Sequence, residues 1–214
     1  MIGKLRRHLR ERGARATAAK FAQRVGDGYV REELIALLKD LDSIVEPRVE
    51  GDLRLEDLET GHLPGISELN RKQGTPSADR YFANCLADGI HGFVAIRGEE
   101  IVGYYHWVDR DNSTMHPDLW YMGPEFQLEE DDVYGSGLFL LEGHRGGGTA
   151  SDFLFKVETS LRERGYRRLW GYVLSTNRPA RWLYSNRGYE PMWSVLSRRL
   201  VFLRWREVIP DPNQ

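Results

Sequence analysis

From Leu138 to Ala150 the chain reads Leu-Phe-Leu-Leu-Glu-Gly-His-Arg-Gly-Gly-Gly-Thr-Ala, an apolar run that stops at one arginine and three consecutive glycines. Apolar residues then recur at Ala150, Phe153, Leu154, Val157 and Leu161, the spacing of one helical face. A strand, a glycine turn and a helix start in succession can hold phosphate. Glycine has no Cβ, so the backbone turns tightly and its N–H groups approach an anion closely. The first helical turn adds unpaired N–H donors and the positive end of the helix dipole. Arg145 supplies a fixed cation suited to phosphate oxygens. The plainer alternative is a glycine-rich surface turn with a tethered arginine.

The spacing excludes two common phosphate loops. A Walker loop ends in Gly-Lys-Ser/Thr, whereas Gly148-Thr149-Ala150 has no lysine. A dinucleotide turn places its third glycine inside the helix and an acid about 20 residues later. Arg145, Gly148 and Ala150 instead fit Arg/Gln-x-x-Gly-x-Gly/Ala. A second block follows from Asn177, through Ala180, Leu183 and Tyr184, to Gly188 and Tyr189. It fits Asn-x-x-Ala-x-x-x-Tyr-x-x-x-Gly-Phe/Tyr at full spacing. The two blocks in this order resemble the GNAT superfamily of acetyl-CoA-dependent N-acyltransferases, over residues from about 51 to 205. One departure is Glu142, where that family usually has proline. It alters local rigidity and leaves the backbone role of the turn intact.

The resemblance implies a division of labour. The main chain of Leu138 to Leu141, Leu138 and Leu140 above all, is expected to pair with a pantetheine arm. An N–H near Leu140 would then point at the acyl oxygen. The amides of Gly146, Gly147, Gly148, Thr149 and Ala150, with Arg145, are expected to hold the pyrophosphate. Asn177 either bonds to the cofactor's amide arm or caps the helix that follows, and both roles are compatible. Tyr184 is the expected general acid, because a phenol is protonated at neutral pH and can serve a departing thiolate. The alternative is a core tyrosine on the face Ala180, Leu183, Tyr184. The strand positions that often carry a base hold Ser136 and Tyr134, neither a good base at neutral pH. Tyr134 is kept as a catalytic-site candidate and no dedicated base is expected. Proton removal would run through water to Asp131, Asp132 or Glu125, or the amine would bind already neutral.

Composition narrows the class. The single cysteine, Cys85, rules out an intramolecular disulfide and reads as a small buried residue. Six histidines show no metal-ligand spacing, so no metal is expected. No apolar stretch is long enough to span a bilayer. Net charge is −2, but the charges are segregated. Residues 1–25 hold eight Lys/Arg and one acid, 99–132 hold ten acids and one base, and 162–206 hold eleven arginines and two acids. This distribution suits an anionic donor on one side and a protonated amine on the other, although charge runs are usually solvated faces.

These residues need a scaffold, and the pattern predicts a mixed α/β fold, GNAT-type, with a mostly antiparallel sheet flanked by helices. Strands are expected at 52–57, 92–97, 101–108, 133–141 and 167–173, with one or two more over 189–203, and helices at 62–72, 78–87, 150–164 and 178–187. Leu34, Leu37, Leu38, Leu41 and Val45 fit a helix over 30–45. The expected organisation is a basic and amphipathic helical extension over 1–50, an acyltransferase domain over 51–209 and a tail over 210–214. Residues 1–25 read as a helix on an anionic membrane surface, as a transit peptide, or as a solvated arm beside a helix packed on the domain or on a second copy in a homodimer. A nucleic-acid role has no motif support. Aromatic clusters at 104–107 and 120–122 are candidates for an acceptor pocket, with at least half of them plain core.

The expected activity is transfer of an acetyl or related acyl group from acyl-CoA to a small-molecule primary amine by direct attack, in a cytoplasmic protein with peripheral membrane contact left open. A non-catalytic acyl-CoA-binding module, and an acyltransferase for a protein or membrane-linked acceptor, are the rival readings.

Overall fold

The computed structural model describes residues 29–47, 51–74, 79–113, 117–123, 125–200 and 203–210. Its strands are β1 (Tyr29–Asp40), β2 (Arg54–Asp57), β3 (His91–Arg97), β4 (Glu100–Asp109), β5 (Asp132–Leu140), β6 (Arg168–Leu174), β7 (Glu190–Leu200) and β8 (Leu203–Pro210). The helices are α1 (Leu63–Lys72), α2 (Asp79–Ala87), α3 (Thr149–Glu163) and α4 (Arg178–Asn186). All eight strands join one sheet in the order β2-β3-β4-β5-β6-β1-β7-β8. Every neighbouring pair is antiparallel except β5 and β6, which run parallel and are connected through α3. The mixed, mostly antiparallel sheet expected from the sequence is therefore present. None of the described helices is long and apolar enough to cross a membrane.

The periodicity reading of residues 30–45 as a helix is corrected: residues 29–40 are a strand, paired to β6 on one side and β7 on the other. The reason is burial on both faces. Ile35 and Leu37 point into the cluster beneath α3, while Ala36 and Leu38 point into the cluster on the opposite face. A strand covered on both sides has no polar alternation, so Leu-Ile-Ala-Leu-Leu reads equally well as a helix stripe. Residues 29–40 thus belong to the sheet itself. Residues 1–25, with their membrane and targeting readings, lie outside the described residues.

Helix α3 covers one face of the sheet with Phe153, Leu154, Val157 and Leu161, all fully buried. On the other face α1 and α2 cover β3 and β4 through Ile66 and Phe82. Beyond them the connection carrying Met122, Phe126 and Leu128 packs over Tyr134 and Trp170. Cys85 is buried in that same layer.

A test follows from β1. Leu34, Leu37 and Leu41 are buried, and burying such a side chain contributes about 1.5–3 kcal/mol. Their sum, with two hydrogen-bonded ladders, rivals the whole net stability of a domain, about 5–15 kcal/mol. A chain starting at residue 48 is therefore expected to show no cooperative thermal unfolding by circular dichroism. A truncated chain melting like the full one would contradict the interior placement of β1.

Candidate active site

The site is built where β5 parts from β6. The two strands pair only from Asp132↔Arg168 to Tyr134↔Trp170. Gly135 and Gly171 still lie close, since a Cβ on Gly171 would stand 3.2 Å from the Gly135 carbonyl. Beyond that point β6 continues against β1 as far as Leu174, while β5 stays with β4. From Gly137 to Leu140 the main chain of β5 is thus no longer laddered to β6. A bulge deforms the same segment: Tyr104 faces Phe139 and His106 faces Ser136, leaving Gly137 and Leu138 opposite the single residue Tyr105. Gly137 takes φ 66°, the left-handed conformation that such a bulge requires.

The edge leads to the glycine turn. Gly146, Gly147 and Gly148 all have positive φ, at 105°, 55° and 87°. An added Cβ at Gly146 or Gly147 would meet nothing within 4 Å, so backbone conformation rather than crowding calls for glycine there. The Thr149 N–H closes the turn on the Gly146 carbonyl at 3.0 Å. The amides of Gly146, Gly147 and Gly148 have no main-chain acceptor among the described residues. The turn is exposed and opens α3. Thr149 itself is buried, with its N–H committed to the turn. Arg145 donates from Nε to the Leu140 carbonyl at 2.7 Å and lies over the Phe139 ring, anchored between strand and turn. Asp152, an acid in the first turn of α3, is buried and paired with Lys156 at 2.8 Å, which offsets its charge near the turn.

Asn177 caps α4, its Oδ1 accepting from the Ala180 N–H at 3.2 Å. This is the capping reading of the residue; a bond to a cofactor is a separate question. Tyr184, one turn before the end of α4, packs edge-on against Tyr189 with ring centroids 4.8 Å apart. Burial, with the nearby Glu158 carboxylate adding to it, pushes the Tyr184 phenol up to about 12. Tyr105 lies in the same cluster, and its hydroxyl occupies the space above Gly135, where an added Cβ would come within 1.8 Å of it. Tyr134 is buried in the opposite layer with Trp170 and Val108, so the two tyrosines singled out in the sequence stand on opposite faces of the sheet. Among the acids considered for proton removal, Asp132 and Asp131 are engaged by Arg168, at 2.6 Å and 3.7 Å. Glu125 is exposed.

What holds α4 in place was not assigned from the sequence. Arg187, at the C-terminal cap of α4, is buried and ion-paired with Glu158 of α3, also buried. It donates further to the Val45 carbonyl and lies over the Phe155 ring. Lys39 is buried close by, with Nζ donating to the Ser43 carbonyl at 2.6 Å. Burial raises the Glu158 pKa, opposed by Arg187 and Lys39, and the same desolvation lowers that of Lys39. One signal was available: Glu158 falls in the apolar stripe of α3 between Leu154 and Leu161, where a carboxylate needs a buried partner.

Removing one member of a buried pair leaves an uncompensated charge, at a cost of about 3–5 kcal/mol. Arg187→Met is accordingly expected to lower unfolding free energy in urea by that amount. The double change Arg187→Met with Glu158→Leu should recover a substantial part. Additive losses in the double variant would contradict a coupled pair.

With this geometry in view, the comparisons with known proteins converge. A model of the Acetyltransferase (GNAT) family matches residues 59–189. The uncharacterized N-acetyltransferase YycN of Bacillus subtilis (strain 168) is 34% identical over 83 residues, covering 38% of this chain and 52% of that protein. The match thus spans about half of that relative. A functionally unknown conserved protein from Staphylococcus epidermidis ATCC 12228 superposes with TM-score 0.58 at 12% identity, covering 92% of this chain and 68% of the other. The GCN5-related glucosamine N-acetyltransferase region of a fungal multi-domain GH3 β-N-acetylglucosaminidase gives TM-score 0.59 at 14% identity, over 84% of this chain and 22% of that one. At such identities the two structures speak for the fold alone. The family match covers more than half of the chain, and the chain belongs to the GNAT acetyltransferase family.

Proposed function

We propose that this protein transfers an acetyl or related acyl group from an acyl-CoA thioester to the primary amine of a small molecule, by direct attack within one ternary complex. The observation that carries this reading is the continuous main-chain path from the stretch of β5 that β6 leaves to the glycine turn. An extended pantetheine arm can hydrogen-bond along 137–139 while its pyrophosphate meets the amides of Gly146, Gly147, Gly148 and Ala150 together with Arg145. Because the anion cradle lies beyond the C-terminal end of β5, the thioester end of the arm lies back toward Gly135 and the last β5–β6 pair.

Each of the chain's groups then has one task. Positioning brings amine and carbonyl together and supplies much of the acceleration. An N–H of the deformed Leu138–Leu140 segment holds the carbonyl oxygen as it gains negative charge. The amine nitrogen attacks the carbonyl carbon, the C–S bond breaks, and its electron pair stays on sulfur. Tyr184 gives its phenolic proton to the thiolate and recovers one from solvent. The proton shed by the amine leaves through water at the acidic surface around Glu125, and Asn177 fixes the start of the helix that carries Tyr184. Tyr134 shapes the opposite, acceptor-facing side beneath Trp170 rather than acting as a base.

Two outcomes are expected. Tyr184→Phe should lower kcat for thiol release on the order of 10²-fold while acyl-CoA affinity stays within a factor of a few. With its phenol raised to about 12, Tyr184 remains protonated well above neutrality, so no loss of rate from its ionisation is expected at pH 9 to 10, about where an unperturbed tyrosine begins to titrate. An unchanged rate in Tyr184→Phe would remove the acid assignment. For the cradle, Gly148→Glu combines a side chain at φ 87° with a negative charge beside the phosphates. It should abolish acetyl-CoA binding in calorimetry while the chain still unfolds cooperatively. Retained binding would contradict the cradle.

A further inference from the structure

On the face opposite α3, a cavity of about 520 Å³ opens between the connection carrying Phe126 and the strands β6, β7 and β8. Its wall is aromatic. Phe126 and Trp170 meet edge-on at 5.2 Å, and Trp170 and Trp193 lie 5.6 Å apart. The wall begins at Trp170, which is the last residue of β6 paired with β5. The cavity therefore adjoins the point at which the thioester arm is proposed to end.

The charges in the cavity are unevenly matched. Arg168 is fully engaged, at 2.6 Å from both Asp132 and Glu129. Arg206 is different. It lies half-buried over the Trp120 ring at 4.9 Å, donates to the Trp120 carbonyl, and has no carboxylate in ion-pair reach among the described residues. Desolvation is what acts on its guanidinium, lowering its pKa with no acid to counter it. A half-buried cation facing a cavity, held in place by a carbonyl and an aromatic ring, is a receptor for an anion. The acids already present at the rim, Glu125 and Glu129, disfavour a doubly charged phosphate and tolerate an ammonium.

We propose that the acyl acceptor is an amine that also carries a carboxylate and an apolar or aromatic body, as an α-amino acid does. Arg206 holds the carboxylate, the Phe126–Trp170–Trp193 wall takes the body, and the amine lies along Trp170 toward the end of the β5–β6 pairing. This rests on the acyl-transfer reading above and specifies its substrate. Arg206 is a specificity-determining residue here and takes no part in bond making.

The test compares phenylalanine with phenethylamine, which differs by the carboxylate alone. With the native chain and acetyl-CoA, kcat/KM is expected to favour phenylalanine by about tenfold or more, the scale of a charge-assisted hydrogen bond. Arg206→Gln should bring the two amines to within a factor of a few, and Arg206→Lys should keep most of the preference. Equal kcat/KM values on the native chain would overturn the proposal without any variant, as would a preference that survives Arg206→Gln. A second readout does not depend on acyl transfer: 3-phenylpropionate should change tryptophan fluorescence saturably in the native chain and not in Arg206→Gln. If neither amine is acylated but this binding is present, the transfer reading fails and the carboxylate site stands. If acylation proceeds without a carboxylate preference, the reverse holds.

Discussion

Two parallel strands that pair over three residues and then separate are the constraint on which the site depends. Parallel ladders are ordinarily continuous, because an unpaired strand edge exposes donors and acceptors that must find partners. Here β6 leaves β5 after Trp170 and completes its ladder with β1 instead. Beyond Tyr134 the edge of β5 is no longer laddered to β6. The bulge at Gly137 and Leu138 deforms that edge, and the three left-handed glycines continue it into the start of α3. Separation of the strands, the deformed edge and the glycine turn are thus one feature of the backbone.

This arrangement asks much of β1. The strand fills the sheet between β6 and β7, so the divergence of β6 is stabilised by a segment far from the site in sequence. The buried charges do a related job for α4. Glu158, Arg187 and Lys39 join α3, the end of α4 and the chain around β1. A buried ion pair is a weak source of net stability, but its directionality fixes one arrangement of the elements it connects. Tyr184 lies one turn from Arg187, and its orientation depends on that arrangement.

Legibility in the sequence followed the kind of interaction involved. The glycine turn, the helix behind it and the Asn177 cap depend on local backbone conformation, and local residue types report it directly. The helices at 63–72 and 149–163 could be read for the same reason. Strand β1 could not: its apolar residues face two layers at once, and periodicity fails when both faces are buried. The contact of the Tyr105 hydroxyl with Gly135, the clamp on Arg187 and the cavity beside Arg206 all join residues from separate elements. Of these, only Glu158 left a trace, as a carboxylate in an apolar stripe. The cluster at 104–107 divided as strand alternation requires, with Tyr105 and Trp107 beneath α3 and Tyr104 against the Phe82 layer on the opposite face.

The most direct measurement of the central claim is amide hydrogen exchange on the full chain with and without acetyl-CoA. If the diverging β5 edge and the glycine turn receive the thioester donor, protection should rise at residues 136–140 and 146–150 together, with little change in β2, β7 or β8. Saturable binding with unchanged exchange across both segments, or protection confined to some other surface, would contradict the account.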